Sequence, residues 1–162
     1  MTQNNFDLVF VDEVMFTKHT FADRTWSKAG IPVRYDMRDF NMKPLACVVA
    51  VSKRYGLDLM MMWPKSITND RFHTFVKRLR QKYPFRRMCM YFDNLSIHRS
   101  RATAKVLLEQ HFEVIFNPPY SPFANCIEEC FSVVKQAYKK QKLNNLMQGR
   151  KVEMEDLIEN SF

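Results

Sequence analysis

The pattern of hydrophobic and polar positions predicts three strands in the first part of the chain. The nearly continuous apolar run FDLVFV at 6–11 is typical of a central strand covered on both faces. Two further apolar runs, PLACVVAVS at 44–52 and LDLMMMW at 57–63, are joined by the short segment KRYG, which predicts a β-hairpin. Before them, TWSKAGIPV at 25–33 contains a Gly-x-Pro break that indicates a turn.

A helical period follows the hairpin. In DRFHTFVKRLRQKY at 70–83, apolar residues recur at three- and four-residue steps, while Arg and Lys occupy the opposite face. Thr68 or Asn69 can cap the first turn, and Pro84 ends the helix. The segment RMCMYF at 87–92 predicts the next buried strand.

The remainder of the chain alternates between helices and strands. We expect a helix over about 99–110 and a short strand at 112–116, which Asn117-Pro118-Pro119 stops. Three apolar side chains of that helix should face inward: Ala102, Val106 and Leu107. A long helix should run from Ile127 to about Met147, with one apolar stripe: Ile127, Cys130, Phe131, Val134 and Tyr138. A shorter acidic amphipathic piece, MEDLIEN, follows, so the pattern predicts one mixed α/β domain with at least five strands.

Charge adds a candidate partner to this picture. The chain carries 25 Lys and Arg against 17 Asp and Glu, a net charge of +8. Ten Lys or Arg lie between Lys65 and Arg101 against two acids, and six more lie between Lys135 and Lys151 with none. Such clustering favours a surface that binds polyanions, because each neutralised phosphate releases counterions. A solvated basic face that maintains solubility is the alternative.

The number and spacing of the cysteines bear on the cellular compartment and on metal binding. Four cysteines are too few for a disulfide scaffold and no apolar signal segment begins the chain, so we expect a reducing compartment. Cys126 and Cys130, four residues apart, could bind zinc with His98 or His111, but no second CxxC or HxxxH pair completes a ligand set. No apolar run approaches the roughly 20 residues of a membrane span, so we expect no membrane association.

Three acids occupy positions where chemistry gathers. Asp12 and Asp93 each follow an apolar strand segment, and the crevice beyond the carboxyl ends of strands collects reactive groups in open sheets. Glu128 lies about 100° from Ile127 around the long helix, at the edge of its buried stripe, whereas Glu129 should face solvent.

Three carboxylates in one crevice repel one another unless cations compensate. Hard divalent ions such as Mg²⁺ prefer oxygen ligands, and two ions about 4 Å apart can stabilise both oxygens of a phosphodiester displacement. Taken singly, each acid is explained equally well as a turn, cap or helix-dipole residue. Their combination and spacing favour catalysis.

These residues belong to segments that resemble the catalytic domain of mariner-type transposases and their bacterial insertion-sequence relatives, which form part of the DDE superfamily. The resemblance rests on five segments: FVDE (10–13), TWSKAG (25–30), ITNDRFHTFVKRLR (67–80), YFDNLSIHRS (91–100) and NPPYSPFANCIEECFSVVK (117–135). It covers about residues 6–140, and 34 residues separate Asp93 from Glu128, the gap expected of a mariner-type subgroup.

The resemblance implies a ribonuclease H-like fold, a mixed five-stranded sheet flanked by helices. It implies that Asp12, Asp93 and Glu128 hold two Mg²⁺ or Mn²⁺ ions that cut DNA at transposon ends, exposing a 3′-hydroxyl that attacks target DNA. Asn94 and His98 would lie behind the ligands or near the substrate, although a structural role capping the next helix suits His98 as well. The implied assembly is a homodimer in a paired-end complex, in the nucleus of a eukaryote or the cytoplasm and nucleoid of a bacterium.

Two features depart from the family pattern. Cys126 stands where the family usually has proline before the Ile-Glu pair, which removes a preset helix start without touching the acid. The family's N-terminal helix-turn-helix region is not found, so we expect a fragment, a degraded copy or a domesticated derivative. Within the chain we expect a catalytic domain at 1–147 and a tail with a short amphipathic helix at 148–162.

DNA contacts should then fall mainly on the phosphate backbone. Eight basic residues are the candidates: Arg78, Arg80, Arg86, Arg87, Arg99, Lys135, Lys139 and Lys142. Two alternatives to a transposase remain open. One is an inactive or domesticated module that keeps the fold only to bind nucleic acid or a protein, although intact acids at all three positions favour catalysis. The other is a nuclease of the same fold that cuts RNA or a particular nucleic-acid structure.

Overall fold

Five strands form one mixed sheet in a computed structural model that describes residues 6–17, 20, 29, 43–119, 121 and 125–162. The strands are β1 (Asp7–Phe16), β2 (Leu45–Ser52), β3 (Gly56–Pro64), β4 (Met88–Phe92) and β5 (Glu113–Phe116). Their order is β3-β2-β1-β4-β5; β1 pairs antiparallel with β2 and parallel with β4, and β4 pairs parallel with β5. This confirms the central strand, the β2–β3 hairpin and the five-stranded mixed sheet. The predicted turn at 25–33 lies outside the described residues, apart from Ala29.

Among the described residues, five helices connect and cover the strands: α1 (Asn69–Lys82), α2 (Ser96–Arg99), α3 (Arg101–Glu109), α4 (Ile127–Met147) and α5 (Met154–Glu159). Thr68 is the N-cap of α1, because its side chain accepts a hydrogen bond from the Arg71 backbone N–H. None of the helices in the described ranges is long and apolar enough to cross a bilayer.

The central strand is longer than its apolar run. We expected it to end before Asp12, but β1 continues to Phe16 because β2 pairs with it over its whole second half, up to Phe16 opposite Leu45. On the other side, the paired residues of β4 reach only to Tyr91, opposite Phe10. Asp12 therefore lies inside β1 rather than after it. It follows the last residues of β1 that pair with the parallel strand β4.

Alternation along β1 directs its side chains to two cores. Val9 and Val11 pack with α1 and α3, whereas Val14 and Phe16 pack with α4 and α5. Because side chains alternate between sheet faces, Asp12 shares the α4 face and Glu13 the α1 face. The segment predicted as a tail contributes to the second core, where Met154, Leu157 and Ile158 of α5 are buried.

Two predicted helix faces are wrong at single positions. Ala102 is exposed and Thr103 is buried in its place, because the Thr103 hydroxyl donates to the Ile97 carbonyl at 2.7 Å and ties α3 to α2. Cys130 is exposed, while the other four residues predicted for the apolar stripe of α4 are buried. The described residues also contain no group of three His, Cys, Asp or Glu side chains already placed to hold a metal ion, so the zinc site considered for Cys126 and Cys130 gains no support.

Candidate active site

Asp12 is a buried carboxylate with two hydrogen-bond donors. Its Oδ1 accepts from the Glu13 backbone N–H at 2.7 Å, and its Oδ2 accepts from Asn125 Nδ2 at 2.9 Å. Burial raises the pKa of Asp12 to about 7, and the backbone hydrogen bond opposes that rise. The negative charges of Asp93, Glu13 and Glu128 raise the pKa further, so all three carboxylates lie near enough to act on Asp12.

Asp93 lies in the loop that leaves β4 and opens α2. Its Oδ1 accepts from the Leu95 backbone N–H at 3.0 Å, the local contact expected of an aspartate that starts a turn. The same oxygen lies 3.3 Å from His98 Nε2. Asp93 therefore makes the local turn contact that was predicted for it. This contact is compatible with the effect of its charge on the pKa of Asp12.

Glu128 lies in the first turn of α4 and is exposed. Its backbone N–H donates to the Asn125 carbonyl at 3.2 Å. Glu129 is exposed as well, but only Glu128 of this pair contributes to the raised pKa of Asp12. Of this pair, Glu128 is therefore the one whose charge acts on Asp12, and its role as a metal ligand stays a prediction.

The charges of Asp93 and Glu128 thus act on Asp12, but the three acids do not form a ligand set. Within the described ranges, no three acidic, His or Cys side chains are already arranged around a common point. Mutual repulsion between carboxylates opposes closer approach unless a cation lies between them. No Lys or Arg of the described part of the chain forms an ion pair with Asp12, Asp93 or Glu128, and the oxygen-only donors suit Mg²⁺ or Mn²⁺. In donor type the three acids therefore suit such a cation, although they do not already surround a common point.

Glu13 is a fourth acid that sequence reasoning missed. Both of its carboxylate oxygens are buried without a hydrogen-bond partner, and Oε2 lies 3.4 Å from His98 Nε2. His98 is fully buried and stacks on Phe92, with ring centroids 4.8 Å apart and planes 16° apart. The alternation of β1 could have found Glu13, because it places this side chain on the face opposite Asp12 and toward His98.

Asn94 braces the loop after β4 against the loop after β5. Its Nδ2 donates to the Asn117 carbonyl at 2.7 Å, and its Oδ1 accepts from Arg99. Tyr91 reaches the same anchor, since its hydroxyl donates to Asn117 Oδ1 at 2.8 Å. Asn94 and His98 both lie beside Asp93, and their roles near ligands or substrate stay predictions.

Of the basic residues predicted to contact DNA, two make internal contacts and a third is buried. Arg80 donates to the carbonyls of Gln110 and His111 at 2.7 and 3.0 Å. Arg86, with 8% of its side chain exposed, pairs with buried Asp58. Lys142 is buried on α4. The other five candidates are exposed or half-buried: Arg78, Arg87, Arg99, Lys135 and Lys139.

Comparisons with solved structures identify the fold. The Mos1 transposase paired-end complex with left transposon end has a TM-score of 0.62 at 18% identity, over 99% of this chain and 55% of that chain. The Mos1 mariner paired end complex with Mn has a TM-score of 0.61 at 17% identity, over 96% and 52%. A simian T-cell lymphotropic virus intasome, solved with the PP2A regulatory subunit B56 gamma, has a TM-score of 0.66 at 11% identity, over 96% and 46%. This chain spans about half the length of these chains.

These likenesses confirm a ribonuclease H-like fold of the kind found in transposase catalytic domains. No curated protein sequence matches the chain. Residues 7–148, which include all three acids, match the family described as DDE superfamily endonuclease. The chain belongs to the DDE superfamily endonuclease family.

Proposed function

We propose that this domain cuts DNA phosphodiester bonds at transposon ends and joins the resulting 3′-hydroxyls to target DNA, with Asp12, Asp93 and Glu128 holding two Mg²⁺ or Mn²⁺ ions. One observation supports the proposal: the pKa of Asp12 on β1 is raised mainly by burial and further by the charges of Asp93, after β4, and Glu128, on α4. The likeness to a transposase complex with Mn supports the choice of metal.

The chain's own residues would prepare this site for an anionic substrate. Asp12 is held from both sides by hydrogen-bond donors, and Asp93 is held by the Leu95 N–H beside His98, so both carboxylates keep a fixed orientation. When bound, the cations would stabilise charge on the phosphate oxygens and lower the pKa of a bound water. Water attack on phosphorus would break the bond to the 3′ oxygen, which takes up a proton and leaves as the 3′-hydroxyl. That hydroxyl would then lose its proton and attack phosphorus in the target, forming a new phosphodiester bond as the target's own P–O3′ bond breaks and releases a target 3′-hydroxyl.

DNA is the proposed partner, and a homodimer in a paired-end complex is the proposed assembly. The similar structures include a transposase paired-end complex and an intasome, which supports this assembly. The excess of basic residues supports DNA as the partner. Lys135 and Lys139, on the helix that carries Glu128, would contact the phosphate backbone without reading sequence.

A nicking assay tests the proposal with neighbouring acids as a matched pair. Supercoiled plasmid is incubated with Mn²⁺ or Mg²⁺ and with the parent protein, Glu128→Gln, Glu129→Gln or Asp93→Ala. Nicking by the parent and Glu129→Gln, but not by the other two, is expected, because only Glu128 and Asp93 belong to the site. Equal nicking by Asp93→Ala would contradict the proposal.

An inactive nucleic-acid-binding module is the second candidate. It is favoured by the fact that the acids, in the described part of the chain, do not already form a metal-ligand cluster. This candidate predicts that none of the four proteins nicks the plasmid, while each still binds and shifts it in a gel-shift assay.

A further inference from the structure

Asn125 links two of the three acids. It lies just before α4, is 5% exposed, and donates from Nδ2 to Asp12 Oδ2 at 2.9 Å. Its backbone carbonyl accepts from the Glu128 N–H at 3.2 Å, in the first turn of the helix. One buried residue therefore contacts both the side chain of Asp12 and the backbone of Glu128.

The chemistry of the amide fixes which way it points. A carboxylate oxygen needs a donor, so the Asn125 Nδ2 group must face Asp12. In that orientation Asn125 Oδ1 is buried without a hydrogen-bond partner, which costs free energy. The opposite orientation would place Oδ1 against the carboxylate oxygen of Asp12, where two acceptors repel. The contact with Asp12 thus decides the conformation of Asn125.

The contact also restricts Asp12. The Glu13 N–H holds Oδ1 and Asn125 holds Oδ2, so the plane of the carboxylate is set from two sides. Cys126, the N-cap position of α4, makes no side-chain cap hydrogen bond. The preceding residue, Asn125, connects the start of this helix to β1 by its side-chain hydrogen bond to Asp12. Partners behind a metal ligand commonly fix its orientation and thereby its affinity for the ion.

We propose that Asn125 is a positioning residue: it orients the Asp12 carboxylate and sets its separation from Glu128, so that both can face the same divalent cation. The part that concerns the cation rests on the proposed function. The pairing of Asn125 with Asp12 does not, and it can be measured in the metal-free protein.

The metal-free test exchanges the two side chains. Urea unfolding in EDTA is measured for the parent, Asn125→Asp, Asp12→Asn and the double exchange. Asn125→Asp sets two carboxylates against each other and should lower the unfolding midpoint, whereas the double exchange restores a donor opposite a carboxylate and should recover most of that loss. Because Asp12→Asn also removes a crowded charge, the pairing is measured by how far the double exchange exceeds the sum of the two single changes. A double exchange that is merely additive would overturn the pairing. If Asn125→Asp does not fold, Asn125→Ala and Asp12→Ala replace the exchanged pair in the same cycle, and additivity there would overturn the pairing.

The metal test uses Asn125→Ala beside Asn144→Ala, which removes an exposed asparagine at the far end of α4. Titration calorimetry with Mn²⁺ should show about tenfold weaker binding for Asn125→Ala and unchanged binding for Asn144→Ala. In the nicking assay, the maximal rate should fall while the DNA concentration at half-maximal rate stays the same. Unchanged Mn²⁺ affinity in Asn125→Ala would overturn the positioning role. If the parent binds no Mn²⁺ while the exchange still recovers stability, the proposed function fails and the pairing stands.

Discussion

Replacing Asp12 by Asn should stabilise the metal-free protein at neutral pH. The substitution keeps the shape of the side chain and removes a negative charge that burial and three neighbouring carboxylates disfavour. Asn125 can turn its unpartnered Oδ1 toward the new amide, so the buried contact is kept with its donor and acceptor exchanged.

The size and sign follow from the pKa of Asp12, which rises from 3.8 in a free chain to about 7 in the folded protein. A folded state that binds its proton more tightly loses stability as pH rises through the window between those two values. A difference of about 3 pH units at about 1.4 kcal/mol per unit corresponds to ~4 kcal/mol of the free energy of unfolding. The parent protein has lost all of this contribution above pH 7. Asp12→Asn stays neutral and escapes this loss.

The assay is urea unfolding in EDTA from pH 4 to pH 8, with Asp156→Asn, an exposed acid on α5, as the control. The free energy of unfolding of Asp12→Asn minus that of the parent should rise with pH by up to about 4 kcal/mol and then level off near pH 7. The corresponding difference for Asp156→Asn should stay nearly flat. A flat difference for Asp12→Asn, or one that falls with pH, would refute the reasoning that a buried, crowded carboxylate limits stability here.

Three further changes test other contacts. His98→Phe keeps the stacking on the neighbouring aromatic ring but loses the nitrogen between two carboxylates, so plasmid nicking by the folded variant should slow by at least about tenfold; equal rates would remove His98 from the site. Arg86→Met should lower the free energy of unfolding by about 3 kcal/mol, because it leaves a buried carboxylate unpaired, while Arg78→Met should change it by less than about 0.5; similar losses in urea titrations would contradict this. The double change Lys135→Glu and Lys139→Glu should weaken binding to unrelated DNA sequences alike and flatten its salt dependence, as a filter-binding series would show.

Periodicity was sufficient for most of the fold. The helical period of α1 and the nearly continuous apolar runs of the four longest strands are local signals, and each predicted the element that the structure contains. Local pattern failed where a partner strand decides the outcome. The extension of β1 past Asp12 depends on pairing with β2, which the identity of residues 12 and 13 does not reveal.

The site divides in the same way. Asp93 and Glu128 could be selected from sequence because a strand end and a helix face define their directions. The contact between Asp12 and Asn125 joins residues 113 positions apart and could be seen only in the folded chain. The roles of Arg80 and Arg86 were misjudged for a similar reason: charge predicts attraction to DNA, but only the structure shows the carbonyls and carboxylates that already occupy them.

The most direct test of the central claim is the position of bound metal. Crystals soaked in Mn²⁺ and recorded near the manganese absorption edge should show anomalous density between the carboxylates of Asp12, Asp93 and Glu128, and crystals of Asp93→Ala should lose it. Manganese bound elsewhere on the protein, or density at this site that survives in Asp93→Ala, would contradict the assignment of these three acids as the metal ligands.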